Sequence, residues 1–228
     1  MRKSVQTETG IAVTSDNLEV AASAETILIG VKPAVVLAVV REIAKVIKGK
    51  LVISLAAGVR LESMEVIAPA RFMRVLTNTP SAILRGATAL ARGARTTRDD
   101  LARTRSIFDT IGVTVEVNED QIDAVTALAG SGPAFIYTVI EALADGGIKM
   151  GLSPEVASVL ATHTVLGAAQ LAAETEKQPD ELRRMVVTPG GTTAAGLAAM
   201  ERLKTSEGLV AAVEAATNRG REMAKENQ

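Results

Sequence analysis

Between Ile11 and Val117, short apolar runs alternate with stretches in which apolar residues recur at helical spacing. That alternation is the pattern of an α/β domain. The runs Ile11–Val13, Thr26–Val31, Leu51–Leu55, Phe72–Leu76, Thr88–Ala91 and Thr114–Val117 predict strands. Several are too uniformly apolar to leave one face in water, which suits a sheet covered on both sides. Ala34–Ile47 and Thr97–Ile111 predict helices. In the second, Thr97 and Asp100 form an N-terminal capping pair and Gly112 a stop.

After Asn118 the pattern changes to long Ala-rich segments of period 3.6: Asp120–Leu128, Pro133–Met150, Pro154–Glu174, Thr192–Leu203 and Glu207–Asn227. This predicts an all-helical domain over residues 119–228, following an α/β domain over residues 1–118. Ser153 before Pro154 is a cap followed by proline at the first helical position, and Gly130–Pro133 separates two helices in the same way. Aromatic residues are only 2% of the chain, so the helical core must be built from small and aliphatic side chains. The helices carry more apolar surface than one small domain covers, which favours a homodimer over a self-sufficient monomeric bundle.

Composition narrows the chemistry. The 228 residues are 47% hydrophobic and carry a formal net charge of −1, from 25 basic and 26 acidic side chains. That balance provides no electrostatic footprint for nucleic acid or an anionic membrane. With no cysteine and one histidine, His163, thiol nucleophiles, Cys-based zinc sites and a Ser-His-Asp set are disfavoured. His163, inside the apolar stretch Val156–Ala173, reads as a packing or hydrogen-bonding residue, and no metal site is expected. The N-terminal MRKSVQTETG is not followed by an apolar core of signal type, and no uncharged apolar run is expected to approach a membrane span. A cytoplasmic location is the expectation.

The sharpest local feature is Thr188–Thr193 (TPGGTT), a turn running into the helix that begins near Thr192. Consecutive glycines allow close approach of a ligand, the first helical amides are unsatisfied, and the dipole favours an anion such as a carboxylate. The same pattern is also that of an ordinary capped turn. Gly130–Pro133 (GSGP) lacks the strand, the third glycine and the backbone donors of a dinucleotide fingerprint. Gly30–Pro33 and Leu55–Gly58 each lie where a strand ends and a helix follows, the edge at which open α/β sheets collect ligands.

Taken together, the segments Pro179–Glu201 (PDELRRMVVTPGGTTAAGLAAME), Asp123–Phe135 (DAVTALAGSGPAF), Glu141–Gly147 (EALADGG), Val31–Pro33, Ser54–Val59 (SLAAGV) and Arg74–Pro80 (RVLTNTP) resemble the pyrroline-5-carboxylate reductases over essentially the whole chain. The resemblance implies an incomplete Rossmann-type nucleotide-binding domain followed by an all-helical dimerisation domain. It also implies hydride transfer from NADPH or NADH to 1-pyrroline-5-carboxylate, giving L-proline, in a homodimer that can assemble further into decamers.

Carried over residue by residue, the resemblance assigns Gly191 and Thr192 to the substrate carboxylate and Thr193, as the catalytic residue, to the ring nitrogen. Glu119 and Met185 match further substrate-pocket positions, Met185 standing where some members carry a polar residue. The cofactor positions are Asn17 on the adenosine side, Gly30, Val31, Lys32 and Pro33, and Ala56, Ala57 and Gly58 beneath the nicotinamide, with Asn78 at the same floor.

The family opens with a strand, a Gly-x-Gly-x-x-Gly turn and a helix, which a unit of roughly 30 residues or more must supply. This sequence does not contain them. Ile11–Val13 and Thr26–Val31 are therefore expected to be rearranged or to lie at a sheet edge with hydrogen-bonding groups unpaired. The function implied is that of the reductase. The alternatives are a non-catalytic family member serving as an oligomerisation or regulatory module, and a related reductase of another small imine or a β-hydroxyacid.

Overall fold

The structure is a computed structural model that describes residues 2–175 and 177–226. Two compact units are present: residues 1–131 with 214–228, and residues 132–213. The boundary therefore falls later than Asn118, because Ile122 and Ala127 are fully buried and Ile122 belongs to the same apolar cluster as the sheet.

In the first unit, α1 (Arg2–Thr9) and α2 (Asn17–Ser23) lead into β1 (Thr26–Ile29), followed by α3 (Pro33–Ile43), β2 (Leu51–Ser54), α4 (Leu61–Glu65), β3 (Arg71–Leu76), β4 (Gly86–Arg92), α5 (Arg98–Phe108) and β5 (Gly112–Glu116). A short α6 (Ile122–Val125) runs directly into a π-helical turn, Thr126–Gly130. The sheet order is β1-β2-β3-β4-β5. All neighbouring pairs are parallel except β3 and β4.

Both faces of the sheet are covered, as its apolar strands require. β2 buries all four of its residues. Val52 and Phe72 join Val36, Val40 and Met64 of α3 and α4 on one side, while Ile53, Met73 and Leu90 pack with Phe108 of α5 on the other. The α5 cap forms as its local spacing dictates: Thr97 Oγ1 accepts the Asp100 amide at 3.1 Å, and the Asp100 carboxylate accepts the Thr97 amide at 2.9 Å.

The triplet Ile11–Val13 corrects the expectation, since it forms no strand and Ile11 is 63% exposed. Its neighbours engage local polar partners instead. The Ile11 amide donates to Thr9 Oγ1, and Asp16 caps α2 by accepting the amides of Leu18 and Glu19. β1 lies at the sheet edge and, among the described residues, pairs only with β2, as expected. Leu51 and Leu55 donate to the carbonyls of Glu25 and Ile29, so the alternation of the ladder turns the main-chain groups of Thr26 and Leu28 outward.

In the second unit, α7 (Gly132–Lys149) and α8 (Pro154–Glu174) form a helical hairpin, followed by α9 (Pro179–Met185), α10 (Thr192–Arg202) and the start of α11 (Thr205–Glu226). The expected end of that last helix at Asn227 lies outside the described residues. α9 is a helix that apolar periodicity did not pick out, because its core is the polar DELRR. Ser153 caps α8, accepting the Val156 amide at 3.4 Å.

α7 buries no residue and α8 only Ala157 and Ala161, while Leu143, Val159, Leu160 and Leu171 are half exposed or more. His163 is exposed rather than packed. Val156–Ala173 carries no formal charge, so the expectation that no such run approaches span length is corrected. By length and composition alone, Glu119–Lys149 and Pro154–Glu174 are apolar enough to cross a membrane. Their low burial is that of helices with an uncovered apolar face.

Candidate functional site

The site residues expected from sequence fall in both units. In the first, the parallel pairing of β1 with β2 sets Ile29 beside Ser54, so the two strands end side by side. Gly30, Val31 and Lys32 follow β1 and are exposed, with Pro33 at the first position of α3. A Cβ on Gly30 would meet only Leu55 Cδ1, at 3.8 Å. Ala56, Ala57 and Gly58 follow β2, and Gly58 has φ +69°, a conformation suited to glycine. Exposed backbone at Gly30, with Lys32 beside it and Ala57 partly accessible on the neighbouring loop, fits a nicotinamide dinucleotide at this edge, whereas Ala56 and Gly58 are buried. Asn17 is placed apart. Its amide nitrogen donates to Glu42 at 2.9 Å, near the last turn of α3, whereas Pro33 opens that helix about 13 Å away along the axis.

Asn78 follows β3 and holds two elements together. Its Nδ2 donates to the Ala129 carbonyl in the π-helical turn at 3.1 Å, and its Oδ1 accepts the Ala87 amide at 3.0 Å. Glu119 begins a turn of 3₁₀-helix, and its Oε1 accepts the Leu61 amide at 2.5 Å. The same oxygen lies 3.5 Å from Arg74 Nη1, and Asp123 lies 3.9 Å from Arg74 Nη2. Arg74 is only 2% exposed. Burial pushes its guanidinium below the usual arginine range, against the opposing influence of Glu119 and Asp123. Sequence reading passed over this cluster, although a signal was there: an arginine in the otherwise apolar run Phe72–Leu76 must find partners inside the protein.

In the second unit, Thr188–Gly191 is a turn closed by the Gly191 amide on the Thr188 carbonyl at 3.0 Å. Pro189 followed by Gly190 at φ +73° is the sequence of a type II turn. Gly191 is the N-cap of α10 and provides no side-chain cap to the amides that follow. A Cβ at Gly191 would lie 2.3 Å from the Thr188 hydroxyl, so only glycine fits with that hydroxyl in place. Thr192 is exposed and Thr193 half-buried on the first turn. Gly191, Thr192 and Thr193 share the start of α10. Met185 is at the end of α9, 63% exposed, with its sulfur 3.4 Å from Lys177 Nζ. Uncapped amides beside a hydroxyl suit a small ligand bearing a carboxylate and a ring nitrogen.

Known proteins resemble the chain over most of its length. Residues 119–223 match the family model for pyrroline-5-carboxylate reductase dimerisation, and residues 2–58 match that for NADP oxidoreductase, coenzyme F420-dependent. The pyrroline-5-carboxylate reductase of a Synechocystis strain is 41% identical over 94% of this chain and 81% of its own length. The solved pyrroline-5-carboxylate reductase of Coxiella burnetii superposes with a TM-score of 0.91 at 36% identity, covering 96% of this chain and 83% of that one. That of Plasmodium falciparum, solved with NADP bound, gives a TM-score of 0.86 at 30% identity, covering 95% and 83%.

Proposed function

Because the chain belongs to the pyrroline-5-carboxylate reductase family, we propose that its chemistry rests on the first turn of α10, where the substrate carboxylate lies against Gly191, whose own amide closes the turn on Thr188, and takes the amide of Thr192. The chain is an NAD(P)H-dependent oxidoreductase of proline biosynthesis, reducing 1-pyrroline-5-carboxylate to L-proline. A protonated cyclic imine is already electrophilic at C5. The protein's work is therefore to orient the ring and to hold the proton on nitrogen. When bound, NAD(P)H supplies the hydride. In this reading the Thr193 hydroxyl hydrogen-bonds the ring nitrogen, Met185 gives an apolar contact, and Glu119 acts at the substrate pocket.

Gly30, Val31, Lys32, Pro33, Ala56, Ala57 and Gly58 are assigned to the cofactor, and Asn17 to its adenosine side. The uncovered apolar faces of α7 and α8 support assembly through the dimerisation domain. We assign them to a homodimer, with assembly to a decamer built from such dimers, rather than to a membrane or a nucleic acid. A cytoplasmic location belongs to the same reading, since the reduced nicotinamide pool is intracellular.

The single observation that carries the proposal is the uncapped helix start at Gly191. Crystals soaked with a proline analogue whose ring nitrogen is replaced by oxygen test it. The expected result is the analogue carboxylate against Gly191 and on the amide of Thr192. An analogue bound away from α10 overturns the assignment.

A further inference from the structure

We propose that Arg74 is a positioning residue for the cofactor loop, acting through Glu119 to hold the segment Ala56–Arg60 in one conformation. This rests on the reading that Ala56–Gly58 lie against the nicotinamide. Arg74 sits in the middle of β3, paired in register with Ser54 of β2 and Ala91 of β4. Phe72, two residues before it and so on the same face of the sheet, packs with α3 and α4.

Nothing in the packing alone calls for a guanidinium at that place. Its Nε and Nη2 are buried without a hydrogen-bond partner, so its own hydrogen bonds do not explain its presence. Its closest charged partner is Glu119, whose Oε1 is also the acceptor for the first amide of α4, 58 positions earlier in the chain. α4 is five residues long, and Arg60 at its N-cap offers no side-chain bond. A carboxylate from outside takes over the capping task. Arg74 keeps that carboxylate aimed.

The loop is thereby tied at both ends. At its start, Ser54 is fixed between β1 and β3, and its hydroxyl accepts the Ala56 amide at 3.4 Å. At its end, Leu61 is held by Glu119. Between the two ties, Gly58 adopts its left-handed conformation and Ala57 stays partly accessible. Releasing the second tie leaves Ser54 as the polar anchor and the buried side chains of Val59 and Leu61 as the apolar one, and a surface that must meet a flat ring loses part of its definition.

Amide hydrogen exchange without cofactor, followed by NADPH binding read from its fluorescence, tests this on Arg74→Met, Arg74→Lys and Glu119→Gln. Arg74→Met is expected to speed exchange at Leu61 and across Ala56–Arg60 by about tenfold while leaving β4 unchanged, and to weaken NADPH by a similar factor. Arg74→Lys, which keeps the charge, restores most of both effects. Glu119→Gln speeds exchange at Leu61 and gives the answer should Arg74→Met fail to fold. Unchanged loop exchange, or a rise spread equally over β2, β3 and β4, overturns the proposal. Gly58→Val separates the two layers. If it leaves NADPH affinity intact, the cofactor reading of the loop is wrong; if it abolishes binding while Arg74→Met changes neither measurement, the positioning role alone is wrong.

Discussion

Gly112 faces Gly86 across β4 and β5 so closely that a Cβ on Gly112 would lie 2.0 Å from the Gly86 carbonyl oxygen. Gly112 also has φ +154°, where side chains are rarely accommodated. Gly112→Ala is therefore expected to destabilise the first unit by at least about 2 kcal/mol, read as a fall in Tm or in the urea midpoint. A substitution without effect would mean that β5 pairs in another register.

Asp100 is a second structural keystone, and it titrates. Burial pushes its carboxyl upward, but the Thr97 amide and hydroxyl and the Arg71 guanidinium outweigh this and hold it below the ordinary value of 3.8. The unfolded chain therefore binds the proton more readily. The resulting stability is fully present above pH 3.8 and is lost as pH falls through the lower native value. Asp100→Asn is expected to cost about 1–2 kcal/mol at neutral pH and to flatten the acid limb of a stability curve. Parallel curves for the two proteins would refute the assignment.

Thr193→Val removes the hydroxyl assigned to the ring nitrogen while keeping the shape of the side chain. kcat/KM for the imine is expected to fall by about tenfold to a hundredfold with NADPH affinity unchanged. Gly190→Ala, at φ +73°, should strain the turn by about 1 kcal/mol and raise KM for the imine more than that for NADPH. Equal changes in both KM values would detach this turn from the substrate.

Along the edge strand, the Leu28 amide points away from β2. It is expected to exchange with solvent far faster than those of Val52 and Ile53, which lie between two strands. Strong protection of Leu28 in solution would reveal another strand paired there.

Leu160 lies on α8 and is 54% exposed. Leu160→Arg is expected to convert the assembly to monomers, measured by sedimentation or light scattering, without loss of helical circular dichroism. An unchanged assembly would place the interface on another face.

What proved legible from sequence was whatever depended on neighbours a few positions away. The Thr97–Asp100 capping pair, the Ser153 cap before Pro154 and the glycine turn before Thr192 are local geometries, complete within one helical turn, and they formed as read. Five of the six expected strands formed within two residues of their expected limits, because short apolar runs between helical stretches mark them; the Ile11–Val13 triplet looked the same and failed, because a strand exists only when another strand accepts its backbone bonds.

The chain order of residues determined which segments become helix or strand, where most helices begin, and which turn offers free amides, since these follow from side-chain size, periodicity and short-range hydrogen bonding. Tertiary structure alone decided that β3 and β4 run in opposite directions, and that Glu119 reaches back 58 positions to Leu61 and meets Arg74 on the way. Those outcomes depend on which distant partners relieve buried charge and unpaired backbone, and no periodicity along the chain encodes a distance in space.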